Sequence, residues 1–139
     1  MKYIICDFAT SNWGKTKTLL KVIEILKTKV KPTIEEQIGE DKFAVFDINK
    51  KKIAINTQGD PNSYLEEGLE RAIDMNADII ICASRTKGAT ISYIYNHAKN
   101  GYEIVWFSNF HADDVNFTNT SLLNDLTAES IVKLLFELK

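Results

Sequence analysis

Apolar positions along this chain fall into two rhythms, short unbroken runs and helical spacing, which alternate from end to end. Tyr3–Cys6 is a short β-rich run, and Lys15–Lys29 follows with Leu19, Val22, Ile23 and Leu26 at helical spacing. Phe43–Ile48 and Ile53–Thr57 are two strand candidates, joined by a polar "NKKK" short enough for a hairpin. Ser63–Met75 brings Leu65, Leu69, Ala72 and Ile73 onto one helical face. Ala77–Ala83, "ADIIICA", is continuously apolar, as expected of a strand buried on both faces. Thr90–Lys99 predicts a helix, Tyr102–Phe107 another central strand, and Thr127–Leu138 a closing helix with Thr127 as its N-cap.

The resulting order, β-α-β-β-α-β-α-β-α, predicts an α/β fold. It is a single doubly wound, mostly parallel sheet of about five strands with helices on both faces. The tight connection before Ile53 makes Phe43–Ile48 antiparallel, at an edge. Repeats, low-complexity tracts and linker-like stretches are absent, so residues 1–139 read as one domain. In such sheets ligands gather outside the carboxyl ends of the strands. Ala9–Thr16, Asn56–Asp60, Ser84–Gly88 and Ser108–Asp113 all follow strands and share that rim. Asp78 and Glu103 precede theirs and are expected to be structural, on the opposite rim.

Composition narrows the classes. The chain is 45% hydrophobic and 26% charged with a formal net charge of −2, which argues against a dedicated nucleic-acid binder. No apolar run approaches the roughly 18 residues of a membrane span, and the start lacks a signal-peptide pattern. Cys6 and Cys82 both lie within apolar runs and are expected to be buried, reduced thiols. A cytoplasmic location without membrane contact is the expectation. His97 and His111 have no neighbours at zinc-ligand spacing. Tyr93, Tyr95, Trp106, Phe107 and Phe110 suit core strands and helix faces better than a base-stacking platform.

The chemistry concentrates in residues 9–16, A-T-S-N-W-G-K-T, between the first strand and the first helix. Gly14 can curl the backbone closely around an anion, and the helix start adds N–H donors and a positive dipole end. The segment resembles the Walker A loop of P-loop NTPases, G-x-x-x-x-G-K-[ST], over its whole length. Ala9 stands in place of the first Gly, where its Cβ crowds the turn. The resemblance implies that Ala9, Thr10, Ser11, Asn12, Trp13, Gly14, Lys15 and Thr16 bind nucleotide. Lys15 would reach the β- and γ-phosphates, and Thr16 would coordinate Mg²⁺. Trp13, beside Gly14, is a candidate to cover the nucleotide or to face a partner.

Ile53–Pro61, "IAINTQGDP", resembles the D-x-x-G element of GTPase-type P-loop proteins, with Asn56 replacing the Asp. This implies Asn56 at the metal and Gly59 at the γ-phosphate. Asn has an acceptor oxygen but no charge, which weakens metal affinity. Asp60, the nearest carboxylate, is the candidate metal partner or orienter of an attacking water. The plainer account of "DPNS" is a turn and helix cap. "KPTIEE" is similar to switch I of Ras-like GTPases, and with it the order of elements over about residues 3–60. That likeness would bring Thr33 over Mg²⁺. Thr33 and Glu36 also form a capping box for a short helix, the favoured interpretation.

After "YEIVWF" the chain offers Asn109 and Asp113 without the Lys of N-K-x-D, so guanine selection is not implied. Arg85 and Lys87, in "SRTKGAT", are basic candidates after a central strand, and Arg85 is the better placed to neutralise a transferring phosphoryl group. The expected function is Mg²⁺-dependent binding of ATP or another nucleoside triphosphate, with slow hydrolysis or phosphoryl transfer using Lys15, Asp60 and Arg85. Two alternatives remain: a non-hydrolysing nucleotide-binding regulatory module that contacts a protein partner through the rim loops, and a binder of another phosphorylated ligand.

Overall fold

Ten elements follow one another along the chain of the computed structural model, which describes residues 1–8, 14–58, 65–84, 89–110, 112 and 117–138. They are β1 (Lys2–Phe8), α1 (Lys15–Lys27), β2 (Ile34–Ile38), β3 (Asp41–Ile48), β4 (Lys51–Asn56), α2 (Leu65–Asp74), β5 (Ile79–Ser84), α3 (Ala89–Ala98), β6 (Tyr102–Phe107) and α4 (Thr120–Glu137). The strands form one sheet in the order β2-β3-β4-β5-β1-β6. β4, β5, β1 and β6 run parallel, whereas β3 is antiparallel to both of its neighbours.

The central strands are apolar on both faces because both faces are covered. Ile5, Ile79, Ile81 and Ala83 pack with Leu19, Val22, Ile23 and Leu26 of α1 and with Ala128, Ile131 and Leu135 of α4. The alternate residues Ile4, Cys6, Ile80 and Cys82 pack with Leu65, Leu69 and Ala72 of α2 and Ile94 of α3. Each fully buried Ile or Leu contributes about 1.5–3 kcal/mol, so two such layers hold the sheet's centre. Cys6 and Cys82 are buried free thiols in direct register on neighbouring strands.

The alternation of elements thus produces an α/β fold with helices on both faces of a mixed sheet, with differences in detail. The sheet has a sixth strand. Residues 34–38, expected to form a capped helical turn, pair with β3 instead. Thr33 donates its backbone N–H (2.8 Å) and its hydroxyl (3.2 Å) to Val45 O, so both donors serve the sheet edge rather than a helix start. Glu36 bonds Arg71 of α2, and Glu35 bonds Lys27 and Lys42. Local capping preference yields here to pairing with an otherwise open edge. As a result β3 lies one strand in from the edge that it was expected to occupy.

Ile34 stands level with Val45, Ala54, Ile80 and Ile4 across the sheet. Thr33 therefore sits toward the amino side, away from the rim where Lys15 lies. The β3–β4 hairpin turns on Asn49 and Lys50, both at positive φ (52° and 65°), as a two-residue primed turn requires.

The last helix begins seven residues before the expected cap. Asn119 caps it, and Thr127 lies inside, donating to Leu123 O (2.9 Å) and accepting the Phe110 N–H (3.1 Å). Its first turns show no single apolar stripe, because Leu122 and Leu126 are exposed while Asn124 is buried. Among the described residues, no helix is long and apolar enough to cross a membrane.

Candidate functional site at the carboxyl ends of the strands

β1, β5 and β4 all end at one rim, and α1 starts there. Gly14 is the N-cap of α1 and adopts a left-handed backbone (φ 82°, ψ 19°), a conformation that strains any residue with a Cβ. A Cβ at this position would also stand 2.7 Å from Asn124 Oδ1. Thr18 N–H donates to Gly14 O (2.9 Å), so the helix is wound tightly from its first residue. The N–H groups of the first turn of α1 have no partner within the helix and point toward its start, as at every helix start.

Lys15 is the first residue of α1, yet it is only 8% exposed. Its ammonium donates to Ser84 O, the last carbonyl of β5, at 2.9 Å. The Thr16 hydroxyl makes a long, weak contact of 3.5 Å with Thr57 O, just beyond β4. One helix start therefore touches the carboxyl ends of two strands. Asn56, the last residue of β4, is buried, and its Oδ1 accepts the Gln58 N–H (3.2 Å) in an Asx turn. Thr57 ties the same end down: its hydroxyl donates to Asp41 Oδ1 (2.7 Å) and accepts the Lys42 N–H (3.0 Å).

Near the start of α1 lie two buried polar groupings of different kinds. In the first, Asn109 Nδ2 donates to the Thr18 hydroxyl (2.7 Å), and the Thr18 hydroxyl donates to Asn124 Oδ1 (3.4 Å). This network links α1, the segment after β6 and α4, and it holds Asn124 against Gly14. The second is Asp7, on the α1–α4 face of β1, in register with Ala83 and Phe107. It is 0% exposed, and neither carboxylate oxygen has a hydrogen-bond partner among the described residues. Burial pushes its pKa up to about 7, with the Lys15 charge pulling the other way. Burial likewise raises the neighbouring Cys6 thiol, helped by Cys82.

Of the sequence-predicted site residues, Gly14, Lys15 and Thr16 stand at the rim with Asn56. Ala9, Thr10, Ser11, Asn12, Trp13, Gly59, Asp60 and Arg85 lie outside the described residues, as do Lys87, His111 and Asp113. Among the described residues, no group of three His, Cys, Asp or Glu side chains could hold a metal ion. Among the described residues at this rim, the Thr16 hydroxyl and the Asn56 amide are oxygen donors, and the latter already closes a turn. Asp78 occupies the opposite rim as expected, accepting the Lys52 N–H at 2.8 Å.

Sequence reasoning passed over Asp7, Thr18 and Asn124. Only Asp7 carried a readable signal, a carboxylate closing a buried apolar run just before a loop rich in small polar residues. Fold and rim together define an α/β protein whose first strand leads through a glycine-capped loop into a helix bearing a buried lysine. In comparisons with known proteins, no family model matches the chain and no curated protein matches it.

Proposed function

We propose that this protein binds a nucleoside triphosphate, with Mg²⁺, through residues 9–16 and the start of α1, and that it hydrolyses the nucleotide slowly or transfers its phosphoryl group. The observation that carries the reading is Gly14–Lys15: a left-handed glycine caps a helix after a parallel strand, with a lysine ammonium drawn in over the strand ends. Helix-start amides and a desolvated ammonium are the elements that hold a phosphate chain. Lys15 would exchange the Ser84 carbonyl for phosphate oxygens. Thr16 and Asn56 would hold Mg²⁺ together with the phosphates themselves, and Asp60 and Arg85 would orient water and neutralise charge. The metal would screen the phosphates and polarise the γ-phosphoryl group.

A second reading, a nucleotide-binding regulatory module without turnover, is favoured by Asn56. An uncharged amide engaged in an Asx turn is a weak metal ligand. Exposed Phe110, Phe117, Leu122 and Leu126, around the start of α4, offer apolar surface for a protein partner in that case. A reducing, cytoplasmic setting fits the free thiols Cys6 and Cys82.

Calorimetric titration of ATP, GTP and ADP, each with and without Mg²⁺, tests the proposal. Wild type should bind a triphosphate in a Mg²⁺-dependent manner, and Lys15→Ala should weaken binding by roughly 10- to 100-fold, the loss of a charge-assisted contact. Equal binding by wild type and Lys15→Ala would exclude the loop as the phosphate site. Turnover with the tighter triphosphate then separates enzyme from module.

A further inference from the structure

A buried carboxylate without a hydrogen-bond donor is costly, and natural interiors rarely keep one without a use. Among the described residues Asp7 is such a group, and its surroundings are sharply asymmetric. On the face it shares with α1 and α4, the buried residues of α1 are Lys15, Thr18, Leu19, Val22, Ile23 and Leu26, so Lys15 supplies the single charge from that helix. The buried residues of α4, from Asn124 to Leu135, are all uncharged. The neighbouring strands contribute Ala83 and Phe107 in register, while the Cys6 and Cys82 thiols stand on the opposite face. On β6, Glu103 is level with Tyr3, toward the other rim. Among the described residues, then, the ionisation of Asp7 is answered by Lys15.

Resting on the phosphate-binding reading above, we propose that Asp7 is the proton-exchanging counter-ion of Lys15, a positioning residue that takes up one proton from solvent when a phosphate chain fills the loop. Without ligand, the carboxylate and the ammonium balance each other behind the rim. A bound triphosphate brings several negative charges to the same ammonium, and two anionic groups then compete for one cation in a poorly solvated place. The cheaper outcome is a neutral Asp7 carboxyl: a solvent proton binds a carboxylate oxygen, and Lys15 is released to the phosphates. The free protein already stands near this transition, since the Asp7 pKa is about 7. Uptake is therefore largest above pH 7, where Asp7 starts ionised, and vanishes well below it, where the proton is already in place.

The test is calorimetry of Mg·ATP and Mg·GTP binding at several pH values between 5.5 and 8.5, each in two buffers of different ionisation enthalpy. The chelated phosphates carry no proton at neutral pH, so the buffer dependence counts protons taken up by the protein. Wild type should take up close to one proton at pH 8 and almost none at pH 5.5, and its affinity should fall by up to about tenfold per pH unit above 7. Asp7→Asn, which keeps the shape and removes the charge, should take up none, bind with little pH dependence and bind more tightly than wild type at pH 8.5. Equal proton uptake by Asp7→Asn and wild type would overturn the proposal and leave the phosphate loop standing. Failure of both proteins, each folded by circular dichroism, to bind either triphosphate at any pH would remove the loop reading and the proposal together.

Discussion

Asp7 and Asp78 stand at opposite ends of the parallel strands of one mixed sheet and meet opposite fates. Asp78 precedes β5 at the amino rim, where its carboxylate accepts the Lys52 N–H and its backbone carbonyl accepts the Tyr3 N–H. It stitches β4, β5 and β1 together where they begin. Asp7 lies near the end of β1 at the carboxyl rim, fully buried, with Lys15 as its electrostatic partner and no donor on either oxygen among the described residues. One aspartate holds the fold and the other strains it. The difference teaches where the molecule tolerates a cost: on the rim where a helix start and a lysine face the strand ends.

The sharpest break of this comparison is the pH dependence of stability. The folded-state pKa of Asp7, about 7, lies above the ordinary carboxylate value. The folded state therefore binds the proton more tightly, and the associated stability is present below about pH 4 and lost as pH rises to about 7. Asp7→Asn should remove that loss, gaining roughly 4 kcal/mol as an upper bound at pH 8 and almost nothing near pH 4. Urea unfolding of both proteins at pH 4.5, 6 and 8 measures it. A constant difference across that range would show that Asp7 does not titrate there.

Gly14→Ala ranks next. The left-handed backbone and the Asn124 Oδ1 at 2.7 Å together should cost about 1–3 kcal/mol. The proposed triphosphate affinity should fall as well, because the left-handed Gly14 sets the position of the first N–H groups of α1. Thermal unfolding close to that of wild type would show that the rim relaxes freely around Asn124. The smallest effect belongs to the satisfied aspartate. Asp78→Ala should lose about 1–2 kcal/mol, the value of its bond to the Lys52 amide, and leave the proposed nucleotide binding unchanged. Weakened binding in that variant would erase the contrast between the two rims.

Much of this layout is legible in the chain. Unbroken apolar runs marked the buried strands, and helical spacing marked α1 and α2, because each pattern records the faces that an element must cover. Lys15 and Gly14 stood out for the same local reason, since backbone permissiveness and charge belong to the residues themselves. β2 was not legible: Thr33 and Glu36 carry a helix-capping signal, and only the open edge of β3 turns residues 34–38 into a strand. The start of α4 was hidden as well, because Asn124 and Thr127 are buried to meet Thr18 and Phe110, partners far away in sequence.

What the sequence determined by itself, then, is the alternation of elements apart from β2, the rim on which the described residues Lys15, Asn56 and Asp78 lie, and the glycine and lysine that open α1. These depend on spacing and residue type over a few neighbouring positions. Tertiary structure alone decided that the sheet order inserts β5 between β1 and β4, that the Lys15 ammonium meets the Ser84 carbonyl, and that Asp7 is buried with no donor among the described residues. Burial and charge pairing arise from residues brought together across the sheet, and no local pattern records the solvent that folding takes away.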